Sequence, residues 1–185
     1  MKEAFDVLER ALIVHRARPS VSTHMPVIEK LRKAPKLFFL DVGLVNYRIG
    51  FKEFFSKQSL DNVYQGKISE QVSAQEIVAQ AFRLPSLRFW IREKGAAETD
   101  FLYPFKDIIV PIEIKSGKTG KLKSLNLFME NSHHPYAVRV YSGKTRIDRI
   151  QLPSGKKYHL YSIPYYLLSR IDDVIERFVA RICGI

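Results

Sequence analysis

One cysteine, Cys183, stands in 185 residues. A lone thiol excludes a disulfide framework within the chain and a zinc site built on cysteines. It reads as a small apolar residue on a terminal helix, since nothing near it in sequence could serve as its base. Long hydrophobic runs are also missing. The most apolar stretches, Lys36–Leu40 and Ile108–Val110 with its neighbours, are far too short to span a bilayer, so no membrane role is expected. The segment MKEAFDVLERAL carries acids throughout, unlike a secretory signal, and a cytoplasmic setting is expected. There is no internal repeat, no low-complexity tract and no G-x-x-x-x-G-K-[ST] phosphate loop. Gly117-Lys118-Thr119 matches only the tail of that motif, with Ile112 where its first glycine belongs, so no ATP site is expected.

Basic charge is abundant: 30 Lys and Arg oppose 19 acids, for a net charge of +11. Such a chain attracts polyanions, of which nucleic acid is the commonest. The excess is clustered. Lys115, Lys118, Lys121 and Lys123 fall together with no acid among them. Arg139, Lys144, Arg146, Arg149, Lys156 and Lys157 follow, opposed only by Asp148. We take Lys118, Lys121, Lys123 and Arg92 as candidate nucleic-acid contacts, with DNA the expected partner; a merely soluble basic surface is the bland alternative.

Periodicity predicts a helix over residues 1–13, a strand over 13–18, a proline-containing loop with Pro19, Pro26 and Pro35, and a strand over 36–40. Asp41 is placed to cap a short helix over 43–49. A long helix is predicted over 66–84, with Ile68, Val72, Gln75, Ala79 and Phe82 on one face. The opposite face carries Ala74, Ile77, Ala81 and, unusually for an apolar stripe, Glu70. Strands follow over 87–92, 99–104 and 108–115, then a helix over 121–130, a strand over 136–141, a strand pair over 146–152 and 157–162, and a closing helix starting at Pro164. This order implies an α/β layered core with a mixed sheet.

Residues 108–115 read IIVPIEIK. Alternation along a strand sends Ile112 and Ile114 one way, toward the core, and Glu113 and Lys115 the other, onto an open face. If Lys106-Asp107 forms a two-residue hairpin loop, Phe105 pairs with Ile108 and Asp100 falls opposite Glu113, with Glu98 opposite Lys115. Directly opposed residues have Cβ atoms about 4.5–5.5 Å apart, and opposed carboxylates repel. A divalent cation between them would remove that cost; Mg²⁺ accepts a few carboxylates and keeps several waters. Asp100, Glu113 and the Ile114 carbonyl are therefore candidate metal ligands, for Mg²⁺ or Mn²⁺. Lys115 could orient a water or stabilise developing phosphoryl charge. A charge ladder on a strand pair would show the same pattern. His133-His134, adjacent and so pointing apart, reads as a polar helix exit, and Phe89 and Trp90 as core aromatics rather than base-stacking platforms.

Glu70 on the first long helix, then Asp100, then Glu113-Ile114-Lys115, then a helix and a strand, resembles the order of the PD-(D/E)XK nuclease core. Pro35-Lys36-Leu37-Phe38-Phe39-Leu40-Asp41-Val42-Gly43-Leu44, Gly66-x-Ile68-x-Glu70, Phe89-Trp90-Ile91-Arg92, Glu98-Thr99-Asp100-Phe101-Leu102 and Pro111-Ile112-Glu113-Ile114-Lys115-Ser116-Gly117 extend the likeness over nearly the whole chain. They resemble the domain of unknown function found C-terminal to the ATPase core of many bacterial and archaeal AAA-type ATPases. The resemblance implies a restriction-endonuclease-like αβββαβ core with a mixed central sheet over residues 51–185, preceded over 1–50 by a remnant of a winged-helix module. It implies metal ligation by Asp100 and Glu113, catalysis by Lys115 and an accessory acid at Glu70. An ATPase core would be the partner, and the chain a fragment or split product of a longer protein. The expected function is metal-dependent phosphodiester hydrolysis on DNA; the alternative is a catalytically inactive module that binds nucleic acid or docks a partner. RNA carries no signature here.

Overall fold

The computed structural model describes residues 2–48, 62–80, 87–117 and 121–184. A helix α1 (Lys2–Arg10) leads into β1 (Val14–Ser20), β2 (Lys36–Phe39), α2 (Val42–Arg48) and the long α3 (Asn62–Ala79). Then come β3 (Arg88–Ile91), the two-residue β4 (Glu98–Thr99), β5 (Phe101–Phe105) and β6 (Ile108–Ile114). The chain continues through α4 (Lys123–Asn131), β7 (Tyr136–Tyr141), β8 (Arg146–Gln151) and β9 (Lys157–Pro164), and ends in a 3-10 helix (Tyr165–Arg170) and α5 (Ile171–Cys183). It is a mixed α/β architecture, as expected. No described helix is long and apolar enough to cross a membrane.

Among the described residues two sheets carry the fold, in the orders β2-β1-β3-β4 and β5-β6-β7-β9-β8. The larger is mixed: β5–β6 and β8–β9 pair antiparallel, β6–β7 and β7–β9 parallel. β6 is nearly all apolar because both of its faces are covered, the pattern of a central strand. Pro111, which has no N–H to give, stands where β6 pairs with β5 alone; pairing with β7 begins at Ile112. β1, which precedes residue 50, runs parallel to β3, so both stretches share the smaller sheet.

Strand parity sorts the core into two packed layers. Val110, Ile112, Ile114, Val138, Val140 and Ile163 are buried in one cluster with α3 and α5 residues such as Ala74, Ile77, Ile171 and Ile175. On the other side Ile109, Ala137, Tyr158 and Leu160 pack with Leu125, Phe128 and Met129 of α4, and Trp90 meets Phe128 edge-on at 5.7 Å. Each such large side chain contributes on the order of 1.5–3 kcal/mol. Phe89 and Trp90 are core residues, as expected.

On α3 the buried side chains are Glu70, Gln71, Ser73, Ala74 and Ile77, while Ala79 is exposed. Of the two apolar faces the sequence offers there, the one with Glu70 is the one that β2 and β6 cover. Three expectations need correction. Pro164 does not open the last helix: β9 runs through it, pairing it with Tyr141, and a 3-10 turn intervenes. The α-helix proper begins where Asp172 and Asp173 fill its first turn, favoured by the helix dipole, and it ends on the left-handed Gly184. Arg139, read as part of a basic surface, is buried on the central β7. The face of β6 bearing Glu113 is not open, since α4 covers it. The remaining predicted elements lie within a few residues of those observed, and residues 81–84 of the first long helix fall outside the described residues.

Candidate metal and phosphodiester site

The hairpin β5–β6 turns on Lys106-Asp107, with Lys106 at φ 53° and Phe105 paired to Ile108. Its register is the expected one, Phe101 lying opposite Ile112. Continued one step, it brings Asp100 to Glu113. The ladder then breaks: Glu98 and Thr99 leave the hairpin and pair with Ile91 and Trp90 of β3. Glu98 accordingly does not lie opposite Lys115, whose N–H bonds the Val140 carbonyl. At the break, Asp100 Oδ2 takes the place of a strand partner and accepts the Ile114 N–H at 2.7 Å.

Glu113 is 6% exposed, buried on the α4 face near the C-terminal end of β6. Lys115 Nζ donates to its Oε1 at 2.5 Å. Its Oε2 is buried and accepts no hydrogen bond among the described residues. Burial and then the Asp100 charge push the Glu113 carboxyl up, against the pull of Lys115. Asp100 is likewise raised, first by burial and then by Glu70, and the Ile114 N–H opposes this only in part. A buried and a half-buried carboxylate that repel each other at one strand end, one with an orphaned oxygen, form a donor set that a divalent cation fits. Asp100, Glu113 and the adjoining Ile114 backbone are the residues that would hold it. Among the described residues, no group of three His, Cys, Asp or Glu side chains forms a ready-made metal cage.

A lysine that sequence reasoning passed over stands among the acids. Lys36, on the edge strand β2, places its Nζ 2.6 Å from Glu70 Oε1, 3.0 Å from Glu98 Oε1 and 4.0 Å from Asp100 Oδ1. Its ammonium also sits 4.8 Å over the Phe89 ring. Burial alone would lower its proton affinity, but Glu70 and the other acids hold it above the usual lysine value. Glu70 is thus buried with a partner, the condition expected of a carboxylate on an apolar face, and the exposed Lys67 adds a second contact at 3.4 Å. The only signal for Lys36 in the sequence is a cation at the start of an apolar strand.

Arg139 is the second residue missed. It is the register partner of Glu113 across β6–β7. Its guanidinium bonds Ser162 Oγ at 3.1 and 2.8 Å and stacks on Tyr141 at 4.5 Å. Tyr165 donates to the Lys115 carbonyl at 2.5 Å and so pins the end of β6. His134 is committed to the interior, with Nε2 2.7 Å from the Ile109 carbonyl and Nδ1 accepting from Tyr136. A cleft of about 320 Å³ opens beside the acids between β2, α2 and α3, lined by Lys36, Phe38, Val42, Val45, Lys67 and Glu70. Lys121 and Lys123 are exposed at the start of α4, and Arg92 is exposed just past β3; Lys118 lies outside the described residues.

Fold and site together define an α/β domain with mixed sheets and a buried acid–lysine cluster at the end of a central strand. Residues 65–166 match the model of a domain of unknown function, DUF4143, and the chain belongs to that family. Residues 1–54 match the model of a second domain of unknown function, DUF8612. No curated protein and no solved structure matches the chain.

Proposed function

We propose that this chain is a nuclease-type domain with a restriction-endonuclease-like core, hydrolysing phosphodiester bonds in DNA with Mg²⁺ or Mn²⁺, in association with an AAA-type ATPase. The observation that carries the reading is the pair of the buried Glu113 and the half-buried Asp100, with Lys115 beside Glu113. Glu113 keeps one buried oxygen without a donor while Lys115 holds the other. A cation held by Asp100, Glu113 and the Ile114 carbonyl would supply Lewis-acid activation of a water and of the phosphoryl oxygen. Lys115 delivers a fixed ammonium to the same place, where it orients the water or stabilises charge on the phosphoryl group. Glu70 acts as the accessory acid through Lys36 and Asp100 rather than on substrate. The exposed Lys121, Lys123 and Arg92, together with Lys118, supply phosphate contacts. The ATPase association rests on the motif resemblance and the family match, and the N-terminal stretch would complete a winged-helix module.

The test is incubation of supercoiled plasmid with the protein and Mg²⁺ or Mn²⁺, beside Glu113→Ala and Lys115→Ala. Cleavage lost in both variants supports the reading. One observation favours a second reading, a catalytically silent module that binds nucleic acid or docks a partner: the Lys36 ammonium pairs with both Glu70 and Glu98. Absent cleavage with salt-sensitive DNA binding retained would select it.

A further inference from the structure

We infer that Lys36 is a tethered cation standing where a second divalent ion would otherwise bind, so that the site takes one metal ion and not two. This rests on the metal-dependent reading above.

Four carboxylates meet around the end of β6. Glu70, Glu98 and Asp100 surround Lys36 Nζ at 2.6, 3.0 and 4.0 Å. Glu113 lies beyond them, bonded to Lys115. The ammonium is therefore shared on the Glu70–Glu98 side, and its contact with Asp100 is the longest of the three. Asp100 directs Oδ2 to the Ile114 N–H and leaves Oδ1 at the margin of the lysine's reach. Glu113 Oε2 has no donor among the described residues. Within one cluster, the Glu70–Glu98 half is satisfied by a cation and the Asp100–Glu113 half is not.

The two ammoniums bonded to these carboxylates are mostly buried, with side chains 18% and 24% exposed, and they serve different halves: Lys36 the Glu70–Glu98 half, Lys115 the Glu113 half. Lys67 is 70% exposed and contributes little, because water screens it. Without Lys36 the Glu70–Glu98 half loses its buried cation, and a second divalent ion is called for.

Lys36 is also mechanically held. It is a strand residue paired with Ala17, and its side chain lies over Phe89. An ammonium positioned this way gives up little entropy on pairing and is hard to expel. It is a positioning residue: it keeps Glu70 and Glu98 from competing for the ion and leaves Asp100 facing Glu113.

Calorimetric titration with Mn²⁺ at fixed pH and ionic strength tests this. The wild-type protein is expected to bind one equivalent, and Lys36→Met two, with a larger rise in Tm on adding Mn²⁺ than wild type shows. Glu113→Gln is expected to lose the single wild-type equivalent. Should Lys36→Met fail to fold, Lys36→Gln removes the charge, keeps a polar side chain and leaves all four carboxylates in place, and is likewise expected to bind two. Two equivalents in the wild type, or one in the variant that folds, would overturn the inference and leave the metal reading standing. No binding in any variant would remove both.

Discussion

Asp100 Oδ2 accepts the backbone N–H of Ile114 at 2.7 Å, so a side chain completes the β5–β6 hairpin at the point where the backbone ladder has already broken. Asp100 is therefore asked to do two things. It satisfies a strand donor, and it keeps a half-buried carboxylate beside Glu113. The substitutions Asp100→Asn and Asp100→Ala separate them. An asparagine oxygen still accepts from Ile114 and carries no charge to desolvate, so Asp100→Asn is expected to fold with at least wild-type stability at pH 8. An alanine leaves the N–H unpaired, at a cost of about 1–3 kcal/mol. Both are expected to lower DNA cleavage by about 100-fold or more, on the scale of losing one electrostatic group at a reacting centre. Thermal melts and plasmid nicking rates check the two halves separately.

Asp100 and Glu113 are both held above the ordinary carboxylate range. A raised carboxyl pKa means the folded state binds more protons than the unfolded state between the two values. Their contribution is then fully present below the unfolded pKa and is lost as pH rises through the folded ones. The metal-free protein is expected to lose stability from about pH 4.5 toward neutrality on their account. Urea midpoints at pH 5 and pH 8 measure the slope. Glu113→Gln should flatten it, and so should saturating Mg²⁺.

Gln71 holds the free edge of the smaller sheet. Its Oε1 accepts from the Phe39 N–H at 3.0 Å and its Nε2 donates to the Phe39 carbonyl at 2.7 Å, as a neighbouring strand would. Gln71→Ala strips both, with an expected loss of about 1–3 kcal/mol. Because β2 carries Lys36, the same substitution should weaken DNA cleavage although the Gln71 side chain bonds Phe39 rather than the acids. Urea unfolding and cleavage rates on one preparation test this.

Lys121 and Lys123 stand exposed at the start of α4. If both contact phosphates, Lys121→Ala/Lys123→Ala is expected to reduce the slope of log K against log salt by about 0.9 per lysine. An unchanged slope in fluorescence anisotropy titrations would place the DNA elsewhere on the surface.

The fold was legible wherever a local rule governed it. The two-residue loop at Lys106-Asp107 sets the hairpin register, and alternation then places Glu113 and Lys115 on one face of β6. Neither step needs knowledge of another element. The α3 helix shows the limit of such rules. Two faces of comparable hydrophobicity competed, and β2 and β6 decided between them by covering Glu70, Ala74 and Ile77. Arg139 failed for a similar reason: a cation amid basic neighbours reads as surface, yet β7 is covered on both sides and Ser162 and Tyr141 receive the guanidinium.

The sequence by itself determined the acid–lysine strand, its parity and the hairpin that brings Asp100 to it, because turn length and a period of two act within a dozen residues. Only the tertiary structure decided what surrounds that strand. Lys36 reaches Glu70 and Glu98 from an edge strand far away in the chain, and α4 closes over the face of Glu113. Such contacts depend on how sheets and helices stack, and no local periodicity records them.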